Sequence, residues 1–306
     1  MRLEKFAEEV LKGVEEKAGG SLEVRIVPGA KNNGITLTGI TASKHEGKGG
    51  VCIYLDNYYE GYCDGRITPD WAAEDVYGKL MEHCNDLDGV DMGVLWDWEA
   101  AKGRIRAKLV NREMNRELLK KVPYREFLDL AVIYYVTLDG LSESGTAAFT
   151  VSDQNMEVWR KDENALYQMA VSNMRLDGEP VFEDMEEIIR SMIPDGMPDL
   201  AVGIHKIRSY VLTNPKKVFG AVELLDGNTL TEIGDKLGSD YMVLPSSLHE
   251  SIILPVDGRI SYQELADIVT DFQYREKEIL GIDMETDECI GICETDDKGH
   301  IIKIER

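Results

Sequence analysis

Two hydroxyls, an imidazole and a carboxylate fall within five residues at Ser246-Ser-Leu-His-Glu250, directly after Pro245. Those are the groups of a hydrolase that uses a nucleophile, a base and an acid. Spacing limits what the segment does alone. On a strand, Ser247 and His249 share a face about 7 Å apart, while Glu250 points to the opposite face. A nucleophile and its base must approach to about 2.6–3.2 Å. A hydrolase or metal-assisted reading of His249 and Glu250 therefore needs acids or hydroxyls from another segment, such as Asp56 or Tyr58. The structural reading is a turn: Pro245 sets φ, the serines satisfy turn amides, and His249 bonds a backbone carbonyl. A binding surface is the third reading.

A second polar cluster, Asp56, Asn57, Tyr58, Tyr59 and Glu60, follows an expected strand, where loops commonly place functional side chains. Carboxylate, amide and phenol groups suit a polar ligand or a hard cation. The structural alternative is a turn with a tyrosine ring folded back over the core. A third feature is a basic strip: between Lys102 and Lys121 lie eight Lys/Arg and two acids. On a strand, Arg104, Arg106 and Lys108 share one face and Ile105, Ala107 and Leu109 take the other. Such a row fits phosphates, an acidic surface of the same chain, or the blunted edge of a sheet.

Other patterns fall short. Asp283 to Glu294 places acids at positions 1, 3, 5 and 12 like a calcium loop, but position 6 is Glu288 where the turn wants glycine. Cys289 and Cys293 sit in what reads as a strand, about 13 Å apart, too far for one zinc. Phosphate-loop, dinucleotide, nucleophile-elbow, HExxH and paired CxxC signatures do not occur. His45-Glu46 and His249-Glu250 each lack a second histidine, and His83, His205 and His300 stand alone. The expectation is no metal and no cofactor.

The net charge of −23 is uneven. Residues 1–121 carry 18 basic and 21 acidic side chains, residues 122–306 carry 16 and 36. An acidic second half repels phosphate backbones and anionic membranes, so the expected partner is another protein rather than nucleic acid. No apolar run reaches the ~18 residues of a membrane helix. The first residues read as an amphipathic helix rather than a secretory signal, and five scattered cysteines suit a reducing compartment. These features predict a cytoplasmic protein; the oligomeric state is open.

The elements that must position these groups are partly readable. Leu3, Phe6, Ala7, Val10, Leu11 and Val14 form one helical stripe ended by Gly19-Gly20. Strands follow at 22–26, 35–41 and 51–55, the first two joined by a turn at Lys31-Asn-Asn-Gly34. A helix capped by Thr68-Pro69 runs to about Asn85, a short one covers 94–101, and a strand covers 104–110. In the second half we expect strands at 128–136 and 145–151 and a helix from Gln154 to about Met174 capped by Ser152. A helix at 182–192, strands at 208–213 and 218–225, and a helix at 229–237 follow. Strands at 240–244 and 251–256, a helix at 262–279 and a terminal hairpin turning at 295–299 complete the reading. This predicts an α+β fold of mixed, largely antiparallel sheets with packed helices in two domains, 1–122 and 123–306.

Several phrases carry a resemblance: Lys31-Asn-Asn-Gly34 before a strand, Tyr54-Leu-Asp-Asn-Tyr-Tyr59, Leu212-Thr-Asn214, Phe219-Gly-Ala221 and Leu244-Pro-Ser-Ser-Leu-His-Glu250. Together they resemble an uncharacterised domain-of-unknown-function family met chiefly in clostridial and other gut Firmicutes, over most of the chain. The resemblance implies a bacterial cytosolic protein and assigns no activity, ligand or catalytic residue. The leading expectation is a soluble binding or regulatory protein acting by protein–protein contact, with the 56–60 and 246–250 segments joined in one surface.

Overall fold

The structure, a computed structural model, describes residues 1–30, 32–34, 36–44, 50–87, 92–138, 147–192, 208–244, 246–256, 292–295 and 301–305. The fold is α+β, with helices and antiparallel sheets. By contact the chain groups into two compact units: 1–104 with 136–149, and 105–135 with 150–306. The sequence reading divides the chain after residue 122, whereas the contacts divide it after 104 and return 136–149 to unit 1.

In unit 1, α1 (Leu3–Ala18) buries Phe6, Ala7, Val10 and Val14 along the expected stripe. Gly19 ends the helix in the left-handed region at φ 53°, its amide bonded to Glu15 O. The strands β1 (Glu23–Ala30), β2 (Thr36–Ser43) and β3 (Val51–Tyr54) form an antiparallel sheet in that order, with Ile26 opposite Ile40 and Ile40 opposite Ile53. Asn33 at φ 58° and Gly34 at φ 74° make the predicted tight turn. Pro28 lies in β1, an edge strand, where a missing amide is tolerated.

Next comes α2 (Asp56–Cys63), then α3 (Pro69–Leu87), whose first turn is capped by Thr68 Oγ1 accepting from the Trp71 amide. Ala72, Ala73, Val76, Leu80 and Cys84 of α3 join the α1 side chains in one core cluster with Ile40, Ala42 and Leu55 of the sheet layer. Burying each large apolar side chain there contributes about 1.5–3 kcal/mol. The helices pass closely: a Cβ on Gly13 would lie 2.6 Å from Ala73 Cβ. A 3-10 turn at Met92–Leu95, α4 (Trp98–Ala101) and a 3-10 turn at Lys102–Arg104 complete this stretch.

Unit 2 begins with β4 (Ile105–Asn111), where Ile105, Ala107 and Leu109 are buried and Arg106 and Lys108 are half-buried, as the alternation predicts. After α5 (Arg116–Leu119) come β5 (Tyr124–Phe127), β6 (Leu130–Leu138) and β7 (Ala147–Thr150), of which residues 136–149 are counted with unit 1. The order β4-β6-β5 makes a sheet in which β7 also pairs β6. The expected strand at 128–136 starts instead at Leu130, because Leu128 at φ 59° and Asp129 turn a hairpin that sets Phe127 opposite Leu130.

The expected helix from Gln154 to Met174 is two helices, α6 (Asp153–Trp159) and α7 (Glu163–Leu176). Arg160 at φ 53° ends the first, and Asp162 caps the second by accepting from the Ala165 amide. Ser152 does cap α6, in a capping box with Asn155. The helix expected at 182–192 splits into β8 (Val181–Asp184) and α8 (Met185–Met192). After β9 (Tyr210–Thr213), the strand expected at 218–225 is a 3-10 segment, Gly220–Leu225, entered through Phe219 at φ 55°.

Then follow α9 (Gly227–Leu237), β10 (Tyr241–Leu244), β11 (Ser251–Pro255), β12 (Ile292–Thr295) and β13 (Ile301–Glu305). The second sheet of the unit runs β13-β12-β10-β11-β9-β8, with neighbouring strands antiparallel. The 262–279 helix, Cys289, residues 283–291, His45, Glu46, His205, His300 and Pro245 lie outside the described residues.

Candidate functional site

The two polar segments singled out by sequence fall in different units, and each has its own setting. In unit 1 the 56–60 segment is the first turn of α2 rather than a loop. Asp56 faces the sheet, its Oδ2 accepting from the Thr38 amide at 2.9 Å, while Leu55 N donates to Thr38 O. Tyr59 donates its hydroxyl to Met1 O, and its ring sits 5.7 Å from Phe6. Asn57 is exposed.

Tyr58 has the richest setting. Its hydroxyl donates to Asp75 Oδ2 at 2.6 Å and accepts from Lys79 Nζ at 2.8 Å, and Lys79 pairs with Asp75 at 2.7 Å. Burial and the bond to Asp75 raise the Tyr58 phenol above its ordinary range. The bonds from Lys79 and Tyr58 hold the Asp75 carboxyl below its own, and bonding to Asp75 raises the Lys79 ammonium. All three shifts favour the ordinary neutral-pH forms: a neutral phenol, a carboxylate and an ammonium. Beside it Trp71, 52% exposed, packs its ring 6.5 Å from that of Tyr58. Trp71, Asp75 and Lys79 recur every four residues along α3, so they share one face. Sequence reasoning missed this alignment, although the spacing was there to find it.

In unit 2 the 246–250 segment is a turn in which Ser247 Oγ and His249 Nδ1 bond backbone amides. Ser247, 6% exposed, accepts at Oγ from the amides of His249 (3.0 Å) and Glu250 (3.2 Å). His249 is half-buried, and its Nδ1 accepts from the Phe219 amide at 3.2 Å, which places the proton of the neutral ring on Nε2. The carbonyl of His249 accepts from Thr213 Oγ1, and that of Leu248 from the Ala221 amide. Glu250 is half-buried. Ser246 Oγ and Ser251 Oγ are buried with no hydrogen-bond partner among the described residues.

This turn therefore closes against the entry to the 3-10 segment, joining three of the phrases that carry the resemblance: 212–214, 219–221 and 244–250. Gly220 is where they touch. A Cβ there would collide with Thr213 Oγ1 and lie 2.5 Å from His249 O and 2.6 Å from Asn214 N. Asn214 closes the loop between them, its side chain bonding both amide and carbonyl of Val218.

The basic row meets the same group. Arg106 grips Asp177 with Nε (2.5 Å) and Nη2 (2.9 Å), with Lys216 adding a contact at 3.3 Å. Lys108 Nζ lies 4.8 Å from the Phe219 ring centre, whose other neighbours are His249, stacked at 5.4 Å, and Tyr135, edge-on at 5.1 Å. Arg104 is half-buried at the end of a 3-10 turn in unit 1. Burial pushes the Asp177 carboxyl up, but bonding to Arg106, helped by Lys216, outweighs it and holds the group below its ordinary range. Burial pushes the Tyr135 phenol up to about 12.

Glu223, on the 3-10 segment, is a residue sequence reasoning passed over. It is 3% exposed, and burial together with Asp226, Asp177 and Glu179 pushes its carboxyl up to about 7. Its signal was an acid inside the apolar run from Phe219 to Leu225. Among the described residues no group of three His, Cys, Asp or Glu side chains is arranged to hold a metal ion. Nor is any described helix long and apolar enough to cross a membrane.

Helices packed on antiparallel sheets, with polar clusters tied into their own turns, define an α+β protein whose architecture alone names no reaction. The chain belongs to the family of unknown function DUF5688, whose model matches residues 3–281. No curated protein and no solved structure matches it.

Proposed function

We propose that this is a non-enzymatic binding protein of the bacterial cytoplasm that acts by contact with another protein, through the α2–α3 face of unit 1. The observation that carries the reading is Trp71, 52% exposed and braced against Tyr58. Trp and Tyr are the residue types most enriched at the energetic centres of protein interfaces. The ring of polar groups beside it is already ordered: Tyr58, Asp75 and Lys79 bond one another, so little side-chain freedom is lost on docking. The 246–250 turn supports the same reading from the other unit, because the Ser247 hydroxyl and His249 Nδ1 are engaged with amides rather than with each other.

The test places a photo-crosslinking amino acid at position 71 in cells, with position 176 as control, since Leu176 is 80% exposed. A discrete adduct at 71 that Lys79→Glu weakens, and that is missing at 176, is the expected result. No adduct at 71, or the same pattern at both positions, overturns the reading.

A further inference from the structure

Among the described residues Glu223 is the buried polar side chain that carries an ionisable acid. It accepts no hydrogen bond and meets no cation there, and the charges that bear on it are all carboxylates: Asp226, Asp177 and Glu179. Its three neighbours are differently placed. Asp177 is neutralised by Arg106 and Lys216. Asp226 takes Arg175 at 3.1 Å and the Asn228 amide, and Glu179 is exposed.

The elements packed against the 3-10 segment include β9, β4 and α9 together with the 246–250 turn, whose His249 accepts at Nδ1 from the Phe219 amide and whose Glu250 is half-buried. None supplies a counter-charge. Tyr210 of β9 lies against Arg208, Arg106 and Lys108 of β4 are turned to Asp177 and the Phe219 ring, and Glu232, Asp235 and Lys236 of α9 are exposed.

Position makes this consequential. In a 3-10 helix residues three apart eclipse, so Glu223 lies on the edge of Gly220, the residue wedged against Thr213, Asn214 and the His249 carbonyl. The segment is entered through two non-glycine residues in the left-handed region, Lys217 at φ 53° and Phe219 at φ 55°. Such backbone persists only while its surroundings hold it. Phe219 in turn carries the stacked His249 ring and the Tyr135 edge.

We propose that Gly220–Leu225 is a proton-operated latch, which Glu223 holds closed as the neutral acid and loosens as the carboxylate, releasing the Phe219 ring with it. A charge created in this buried setting has no partner among the described residues, and its cost is relieved by opening the segment to water. The closed form binds the proton more tightly than the open form, so acidification tightens the latch. Opening grows as pH rises from the ordinary glutamate value of 4.5 and levels off near 7.

Amide exchange reads this directly at Ala221, Val222 and Asp226, bonded to the carbonyls of Leu248, Phe219 and Glu223. In the wild-type chain, protection corrected for intrinsic exchange falls about tenfold per pH unit between pH 5 and 7, then stays level. In Glu223→Gln it is flat across that range. Equal slopes in both proteins, or none in either, overturn the latch. The side-chain carboxyl carbon of Glu223, followed by NMR in the wild-type chain, gives a check that needs no variant. A titration midpoint near 7 is expected, and one near 4.5 overturns the proposal.

Discussion

In unit 1 the described core runs from Phe6 through Ile40 and Leu55 to Leu80 and is apolar throughout. In unit 2 the same depth of burial encloses Asn115, Asn173, Thr213, Glu223, Ser247 and Ser251. Most of those groups are matched: Asn173 Nδ2 donates to Ile105 O, Asn115 Nδ2 to Asn111 O, and Thr213 to His249 O. Buried polar bonds of this kind contribute about 1 kcal/mol each when made and cost about 1–3 kcal/mol when one partner is lost. The described core of unit 1 therefore derives its stability from area removed from water, a term insensitive to protons. Unit 2 is specified by particular atoms meeting particular atoms, and part of it responds to pH.

The largest expected effect is in the apolar unit. Phe6→Ala removes a fully buried ring and is expected to cost about 3–5 kcal/mol in denaturant unfolding, with the same loss at pH 5 and pH 8. A pH-dependent loss would break the contrast.

Glu223→Gln comes next. Its folded-state value of about 7 lies above the ordinary 4.5, so the stability linked to its proton is fully present below pH 4.5 and is lost as pH rises through 7. At about 1.4 kcal/mol per pH unit that gap is on the order of 3 kcal/mol. Relative to wild type, the glutamine variant should gain by up to that amount above pH 7, with the gain fading toward pH 4.5. Asp177, held below its ordinary range by Arg106, works in the opposite sense: its contribution is lost as pH falls. An Asp177→Asn variant should therefore differ from wild type most at neutral pH and least in acid, measured by the same melts.

Gly220→Ala sharpens the contrast sterically. Its new methyl meets backbone atoms that cannot swing aside, and about 1–3 kcal/mol of destabilisation is expected in thermal melts. The smallest effect is Tyr58→Phe, which removes one hydroxyl from a half-exposed network. Within about 1 kcal/mol of wild-type stability is expected, while the Asp75 carboxyl moves back up toward its ordinary range when followed by NMR.

Where structure follows from local rules, the residues announced it. The α1 stripe, the Gly19 stop, the Asn33-Gly34 turn and the alternation from Ile105 to Leu109 all needed only period and φ preference. Elsewhere the decisive contact came from afar. The apolar run from Val218 to Leu225 reads as a strand, yet the left-handed Phe219 and the wedge of Gly220 against residues 213, 214 and 249 turn it into a 3-10 segment. Arg160 breaks a pattern that looked continuous, although Asp162 carried a capping signal that the apolar period concealed. Candidate sites divided in the same way. Single residues such as Tyr58, Arg106 and His249 stood out by type, but Asp75, Asp177 and Phe219, the partners that define what each one does, lay 17, 71 and 30 residues away.

Unit 1 is assembled from residues 1–104 and 136–149, with the opening stretch of unit 2 lying between them in the chain. During synthesis, the first 104 residues leave the ribosome lacking their last piece. They wait for 45 more, from 105 to 149, a few seconds at about 5–20 residues per second. By then β4, β5 and the whole of β6 have already emerged. The nascent chain thus begins its second body before it can finish its first.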